Sequence, residues 1–351
     1  MSFSVADERA FFSPYTLPSP YWIILEGADA AAATRYGATQ LHHKAELFGL
    51  AAGPEWTVPW AQLAEEFLPA PAEAHLRAAI IAAEEAPSLQ EIELSLRPAG
   101  QIDAIAQHLW LAQAVGENGL LCYMQRVLDR RGKQVGFEAF ARLDGADGAI
   151  IGGGAIMQAA QTLHMEYQID RLMHRQAIEC FVAGDLDGVL FINFLTGFIH
   201  RPEVYLDGLS QAVERHHLLP RSIALDVPLI DYAKDMAKLK SIARYCHARG
   251  FALSLDDVMS PDGLAGLLQE IRPAFVKLDA KLAVAMLDDK KQGAVLEIIR
   301  LAHQAGASVL AEGVESAALH QAYLAAEVDM FQGYLFGAPE RCPPQPAQKA
   351  G

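Results

Sequence analysis

The stretch SIALDVPLIDYAKDMAKLKSIARYCHARGFALSLDD, residues 222–257, contains one complete strand–helix–strand repeat. Two nearly continuous apolar runs, at 222–227 and 251–255, flank an amphipathic segment at 232–249. A strand that is apolar along its whole length is buried on both faces, which is typical of a parallel sheet covered by helices. The stretch therefore predicts a β-α-β unit.

The same alternation continues on both sides of this unit. Further strands are predicted at 121–128, 135–143, 188–193, 274–278, 308–311 and 329–332. Further helices are predicted at 167–182, 202–215 and 293–304. Eight strands alternating with helices favour an α/β fold, a modified TIM (β/α)8 barrel, over an open sheet. The first two strands form a hairpin, which predicts one antiparallel strand in the barrel.

The first hundred residues lack this alternation and predict a small α+β domain at 1–101. We expect the barrel at 102–340 and a Pro-rich, disordered tail at 341–351. Within the first domain, strands are expected at 20–27 and 91–96, and helices at 60–67 and 73–85. The segment EIELSLRPAG (91–100) resembles a PAS-type sensor, and an unrelated α+β module is the alternative.

Composition limits the possible partners and location. The 351 residues include 43 acidic and 28 basic side chains, a formal net charge of −15. This surplus argues against a nucleic-acid polymer as partner, because such binders need a basic surface. No apolar run approaches the roughly 18 residues of a membrane-spanning helix. The four cysteines are widely spaced, so a cytoplasmic protein in a reducing compartment is expected.

Polar residues follow the predicted strands at a recurrent position. The set comprises Glu138, Asn193, Asp226, Asp256, Asp257, Lys277, Asp279, Glu312 and Glu315. Because the carboxyl ends of barrel strands meet at one mouth, most of these side chains should lie close together. A single buried acid such as Asp279 is more simply a satisfied core residue. Several carboxylates packed together repel one another, and oxygen ligands without His or Cys favour Mg²⁺, Mn²⁺ or Ca²⁺.

These residues belong to motifs that resemble the EAL family of cyclic-di-GMP phosphodiesterases. The motifs, in chain order, are FEAFAR (137–142), FINF (191–194), IALDV (223–227), SLDD (254–257), VKLD (276–279), LAEGVES (310–316) and QGYLFGAP (332–339). The resemblance implies a modified TIM barrel that hydrolyses cyclic-di-GMP to linear pGpG. It also implies a homodimer.

The resemblance also assigns residues to roles. It implies metal ligands for two Mg²⁺ or Mn²⁺ ions at Glu138, Asn193, Asp226, Asp256 and Asp257. It implies catalytic roles for Lys277, which positions the attacking water, and for Glu312 and Glu138. It implies substrate contacts at Arg142, Phe140, Gln332 and Glu315.

The sequence departs from the family pattern at four places. Met124 replaces a glutamine, Asp226 replaces a glutamate ligand, and Leu229 replaces a second glutamate. The loop DVMSP (257–261) lacks both glycines that the family has there, and Pro261 fixes a backbone angle. These changes keep open a second hypothesis, a catalytically inactive cyclic-di-GMP receptor or protein-interaction module.

Two other interpretations have less support. One is an unrelated barrel enzyme that uses an enolate-stabilising lysine with Mg²⁺. The other is a dinucleotide-binding loop at IIGGG (150–154), which lacks the third spaced glycine. A flexible loop is the simpler interpretation of that run.

Overall fold

A computed structural model describes residues 21–26, 39–41, 47–52, 77–82, 89, 97–98, 108, 110–112, 114–115, 119–145, 148–196, 206–229 and 236–342. The chain divides into two compact units. The first comprises Met1–Leu120 and Leu143–Ile169, and the second comprises Leu121–Arg142 and Asp170–Gly351. The predicted domain boundary at 101/102 falls outside the described residues and stays a prediction.

The first unit contains a five-stranded sheet in the order β2-β3-β1-β4-β5. Its strands are β1 (Tyr21–Glu26), β2 (Thr39–Gln40), β3 (Leu47–Ala52), β4 (Arg77–Ala82) and β5 (Arg97–Pro98). All the pairings within this sheet are antiparallel. The strand predicted at 20–27 is confirmed by β1. The resemblance to a PAS-type sensor stays a prediction.

The helix predicted at 73–85 is wrong, because β4 lies inside it. This strand pairs with β1 along its whole length, with Ile80 opposite Ile23. The alanines of the segment favour a helix, but intrinsic propensity is a weak preference, and pairing with a neighbouring strand overrides it. The predicted elements at 60–67 and 91–96 lie outside the described residues.

The second unit is built on a closed barrel of eight strands. They are β6 (Leu120–Asp129), β7 (Gln134–Asp144), β9 (Val189–Asn193), β10 (Ile223–Pro228), β11 (Ala252–Val258), β12 (Phe275–Leu278), β13 (Ser308–Ala311) and β14 (Met330–Phe331). Within the barrel, β7 runs parallel to β9, and each following barrel strand up to β14 runs parallel to the one before it. Strand β6 pairs with β7 and runs antiparallel to β14, which closes the barrel. The modified barrel with one antiparallel strand is therefore confirmed.

Helices connect successive barrel strands. They are α2 (Glu166–Ala183), α3 (Asp207–Arg215), α4 (Met236–Arg249), α5 (Leu264–Ile271), α6 (Ala283–Met286), α7 (Gln292–Gln304) and α8 (Ala317–Ala325). The helices predicted at 167–182 and 293–304 are confirmed. Those predicted at 202–215 and 232–249 are confirmed within the described residues.

The flexible loop expected at 150–154 is wrong. These residues form a short strand, β8 (Ile150–Gly152), followed by helix α1 (Gly153–Leu163) in the first unit. The helix buries Ile156, Ala159, Ala160 and Leu163. This spacing of three, four and seven residues marks one helical face, a signal that the run of glycines obscures.

The barrel interior holds a cluster of apolar side chains, here called the apolar cluster. Its members are Val127, Phe191, Ala224, Leu310 and Met330. They come from five different strands of a closed barrel, so they must fill its inside. Four half-buried side chains pack against them, namely Val135, Val189, Ala252 and Phe275.

The described part of the chain ends in an ordered segment. Strand β15 (Glu340–Arg341) pairs with β6, and the buried Cys342 donates its N–H to the carbonyl of Cys122 at 3.0 Å. Residues 341 and 342 are therefore not part of a disordered tail. Residues 343–351 lie outside the described residues. Among the described helices, none is long and apolar enough to cross a membrane. The expected cytoplasmic location stays a prediction.

Candidate active site

The site is centred on Lys277, which lies on β12 and has no exposed surface. Its ammonium contacts carboxylate oxygens of Glu138 (3.2 Å), Asp226 (3.1 Å), Asp256 (3.3 Å) and Glu312 (2.8 Å). These four acids, from β7, β10, β11 and the end of β13, are called the carboxylate cluster. Four predicted site acids therefore all contact the predicted lysine.

The alternation of side chains along the strands explains this convergence. Residues two apart on a strand point to the same face, so an inward-facing apolar residue predicts the next inward position. Ala224 belongs to the apolar cluster, and Asp226 follows it by two residues. Leu310 and Glu312 repeat the relation on β13. The interior thus changes from apolar to charged along single strands.

The electrostatics of the site follow from burial and from the excess of negative charge. Burial raises the pKa of the Asp226 carboxyl to about 8, against the pull of Lys277 and with the help of Asp256 and Glu138. Burial also raises the pKa of Glu312 well above its ordinary value. Burial alone would lower the pKa of Lys277, but the four carboxylates together outweigh it and raise that pKa. Lys277 is therefore charged at neutral pH, and the site carries negative charge that it does not neutralise.

The residues present fit a divalent cation. Oδ1 of Asp226 is buried without a hydrogen-bond partner, although its other oxygen contacts Lys277. Asp256, Asp257 and Glu312 can each offer an oxygen within 4.8 Å of the others. Donor oxygens of carboxylates are the ligands that Mg²⁺ and Mn²⁺ prefer.

The pair Asp256–Asp257 owes its arrangement to an irregularity in β11. The register against β12 shifts between Leu255 and Val258. Asp257 has a φ of 55°, an uncommon backbone angle for a residue other than glycine, and its N–H donates to Oδ1 of Asp256 at 2.9 Å. The shift lets two consecutive acids contribute to one metal-capable group, which regular alternation forbids.

Asn193 lies beside the carboxylate cluster at the end of β9. Its Nδ2 donates to Oε1 of Glu138 at 3.4 Å and to the carbonyl of Ala139 at 3.5 Å. Both hydrogen bonds use the amide nitrogen, which leaves Oδ1 for a cation. Asp279, in contrast, accepts from the N–H of Lys281 at 2.7 Å at the start of a short helix, as expected of a satisfied buried acid.

The four predicted substrate contacts are not hydrogen-bonded or ion-paired to the carboxylate cluster. The Arg142 guanidinium lies over the rings of Phe140 (5.3 Å) and Tyr123 (5.9 Å). Gln332 is buried and donates from Nε2 to Oε1 of Gln125 at 3.1 Å. Glu315 is exposed. Their contacts with a substrate stay predictions.

Sequence reasoning missed two polar residues behind the site, Asp170 and His174. Both are buried on α2, and His174 Nε2 lies 3.4 Å from Oδ2 of Asp170. Burial lowers the pKa of His174 to about 4, so its ring is neutral at neutral pH. The available signal was their spacing of four residues on the apolar face that Ile169 and Met173 mark.

Comparison with known proteins gives a family match over most of the barrel. Residues 108–339 match the model of the EAL domain. A curated relative from Pseudomonas aeruginosa, the bifunctional diguanylate cyclase/cyclic di-GMP phosphodiesterase MucR, is 25% identical over 65% of this chain. The match covers 34% of MucR. The chain spans less than two fifths of the length of the first curated relatives it matches.

Solved structures share the fold. A structure described as PaMucR phosphodiesterase in complex with c-di-GMP is 24% identical, with a TM-score of 0.59 over 67% of this chain and 97% of that one. The EAL domain of Xanthomonas citri FimX in complex with c-diGMP is 21% identical, with a TM-score of 0.62 over 69% of this chain and 96% of that one. At these identities the similarity supports the barrel fold alone.

Proposed function

The chain belongs to the EAL domain family, and on that premise we propose that it is a metal-dependent phosphodiesterase that hydrolyses cyclic-di-GMP to linear pGpG. One observation carries the proposal: Lys277 lies among four carboxylates, and two of these, Asp256 and Glu312, can hold a cation together with Asp257. Relatives described as cyclic-di-GMP phosphodiesterases or as c-di-GMP complexes support the substrate.

The metal ligands in this proposal are three carboxylates that contact Lys277 and two oxygen-bearing residues that lie beside them. They are Glu138, Asn193, Asp226, Asp256 and Asp257. Bound Mg²⁺ or Mn²⁺ supplies Lewis acidity, which lowers the pKa of water and offsets the charge of the phosphate. Lys277 has the role of positioning the attacking water, for which one of its three N–H groups must turn from a carboxylate to the water. Glu312 supports Lys277 through its 2.8 Å contact.

The substrate contacts remain part of the proposal. The Arg142 guanidinium contributes positive charge toward a phosphate, and its stacking over Phe140 limits its motion. Gln332 contacts the substrate in this proposal, and its side chain is held by Gln125, whose Nε2 donates to the carbonyl of Gly337 at 2.9 Å. Glu315 lies on the exposed side, where a substrate approaches.

Turnover of cyclic-di-GMP by the purified chain tests the function. We expect formation of pGpG that requires Mg²⁺ or Mn²⁺ and stops in EDTA. Lys277→Ala should reduce turnover by more than about a hundredfold, as expected for loss of a group acting at the reacting atoms. Lys281→Ala is the matched control, because Lys281 is exposed and its ion pair with Asp279 lies outside the carboxylate cluster.

The same experiment separates the second hypothesis. Tight calorimetric binding of cyclic-di-GMP without turnover in either metal would identify a receptor. Asp226, shorter than the glutamate of the family, and Leu229 favour this alternative. Neither binding nor turnover would leave the barrel as a protein-interaction module.

We also propose a homodimer and a regulatory role for residues 1–101. Exposed apolar side chains on and after α6, Val284 and Leu287, support a contact between copies of the barrel. Sedimentation of the wild-type chain and of a Val284→Lys/Leu287→Lys double variant tests this, and we expect a dimer that the variant loses.

Deletion of residues 1–101 tests the regulatory role. It should change the turnover per barrel if that segment regulates it.

A further inference from the structure

Two side chains of α2, Asp170 and His174, contact the main chain at the end of β9 and just after it. They are here called the α2 pair. His174 Nε2 lies 3.1 Å from the carbonyl oxygen of Asn193. Since a carbonyl can only accept, this ring nitrogen carries the proton and donates it. Oδ1 of Asp170 accepts from the N–H of Leu195 at 3.4 Å. Both side chains are more than nine-tenths buried.

The same segment is held on its other side by β10. The N–H of Phe194 donates to the carbonyl of Asp226 at 2.9 Å. The Phe194 ring stacks on the ring of His174, with centroids 5.9 Å apart and planes 17° apart. Three consecutive residues, 193–195, are therefore held through their main chain between α2 and β10, closely at Asn193 (3.1 Å) and Phe194 (2.9 Å) and over a longer contact at Leu195 (3.4 Å).

The side chain of Asn193 is held less firmly than its main chain. The residue is exposed, and the two hydrogen bonds of its amide are long, at 3.4 and 3.5 Å. Its orientation toward Glu138 therefore depends on the position of its own main chain. That position is what the α2 pair determines.

We propose that Asp170 and His174 are positioning residues, which hold the main chain of 193–195 so that the amide of Asn193 reaches the metal site. The inference rests on the proposed function, because it assigns Asn193 to the cation. It adds two residues that touch neither the cation nor the substrate. Outer partners that orient a ligand commonly change metal affinity about 10–100-fold when they are removed.

Variants of the full chain separate positioning from simple packing. His174→Phe keeps an aromatic ring against Phe194 and removes the hydrogen bond to Asn193 together with the 3.4 Å contact to Asp170. Asp170→Ala removes the acceptor for Leu195, and Asp170→Asn restores an acceptor at the same place. We expect His174→Phe and Asp170→Ala to bind Mn²⁺ about tenfold more weakly than wild type. Asp170→Asn should recover most of that affinity.

Two readouts are needed, and neither of them requires turnover. Electron paramagnetic resonance of free Mn²⁺ gives the affinity. Amide hydrogen exchange of the metal-free chain, resolved at residues 193–195, reports whether the segment has loosened. We expect faster exchange at Leu195 in His174→Phe and Asp170→Ala, with unchanged exchange in β11 and β12.

The chain offers a matched control at the other end of the barrel. His303 Nε2 lies 2.9 Å from Oδ2 of Asp329, and that oxygen accepts from the N–H of Val309 at 2.8 Å. This pair also joins a histidine and an aspartate to the main chain of a barrel strand, but near the start of β13. His303→Phe and Asp329→Ala should leave Mn²⁺ affinity within about twofold of wild type.

The outcomes distinguish the two proposals. If wild type binds Mn²⁺ and the variants of the α2 pair bind it equally well, the pair only packs and the positioning role is wrong. If the control pair lowers Mn²⁺ affinity as much as the α2 pair, the effect is general loosening and the inference also fails. If wild type itself binds no Mn²⁺, the proposed function fails, and the positioning role fails with it.

Discussion

Two groups of side chains occupy the same barrel, and they differ in almost every physical respect. The apolar cluster contains no polar atom that needs a partner. The carboxylate cluster places four acids around one ammonium and leaves a buried oxygen of Asp226 without a hydrogen bond. Yet on β10 and β13 the two clusters are separated by only two residues, Ala224 from Asp226 and Leu310 from Glu312.

The difference shows how the first cluster determines the chemistry of the second. An apolar interior beneath the charges excludes water and makes each buried charge costly, which raises carboxyl pKa values. The acids then need either Lys277, a proton or a cation. The apolar cluster should therefore determine stability independently of metal, whereas the carboxylate cluster should depend on metal and on pH.

The largest effect is expected from Lys277→Met, which keeps the volume and removes the charge. Removal of one member of a buried ionic group costs about 3–5 kcal/mol of unfolding free energy. We expect about 4 kcal/mol in urea unfolding with EDTA, and a partial recovery with Mn²⁺. Lys281→Met, at an exposed position, should change stability by less than about 1 kcal/mol. A loss in EDTA no larger than that of the control would show that the acids do not depend on Lys277.

A smaller effect, of a different kind, is expected in the apolar cluster. Leu310→Ala leaves a cavity at a position with no exposed surface, and it should cost about 3 kcal/mol. The loss should be the same in EDTA and in Mn²⁺, because no polar group is affected. Leu296→Ala, at a partly exposed position on α7, is the control and should cost far less. A metal-dependent loss for Leu310→Ala would contradict the independence of the two clusters.

The smallest effect is expected from Asp226→Asn, measured without metal near pH 4. The pKa of Asp226 rises from its ordinary value of 3.8 to about 8, so the folded state holds a proton that the unfolded state releases. Stability of the metal-free wild type should therefore fall as the pH rises from about 4 to about 8. Asn resembles the protonated acid, so Asp226→Asn should flatten this slope and differ from wild type by less than about 1 kcal/mol near pH 4. As the pH rises toward 8, the variant should become the more stable of the two.

The pH series has an internal reference. Leu310→Ala should keep the wild-type slope and shift the whole curve downward, because it removes no titrating group. The measurement is the urea midpoint in EDTA at several pH values between 4 and 9. An Asp226→Asn curve as steep as wild type would assign the slope to another acid of the cluster.

The sequence predicted the strands well for a physical reason. The strand expected at 135–143 is observed at Gln134–Asp144, and that at 308–311 is observed as Ser308–Ala311. Strands that are buried on both faces have apolar sequences, and the polar residues at their carboxyl ends meet at one mouth of the barrel. The same rule brought Glu138, Asp226 and the other acids of the cluster into contact with Lys277.

The remaining features depend on contacts that no local pattern encodes. Strand β4 looks helical in its own composition and is a strand because β1 lies beside it. Gln125 meets Gln332 across 207 positions of sequence. In the sequence, Asp170 and His174 are only two polar residues on an apolar helix face. Their partners, the N–H of Leu195 and the carbonyl of Asn193, are known only from the structure.

The closure of the barrel affects how the chain folds during its synthesis. One edge of β6 pairs with the adjacent β7, but its other edge pairs Leu128 with Phe331 and Asp129 with Met330 of β14. These pairs join residues about 200 positions apart, so β6 must wait while nearly all of the barrel leaves the ribosome. During that time the inner faces of the strands stay open to water. The closed barrel and its site therefore form only after β14 has been made. A truncated chain that ends before β14 leaves one edge of β6 unpaired, and such an edge can pair with another chain and aggregate.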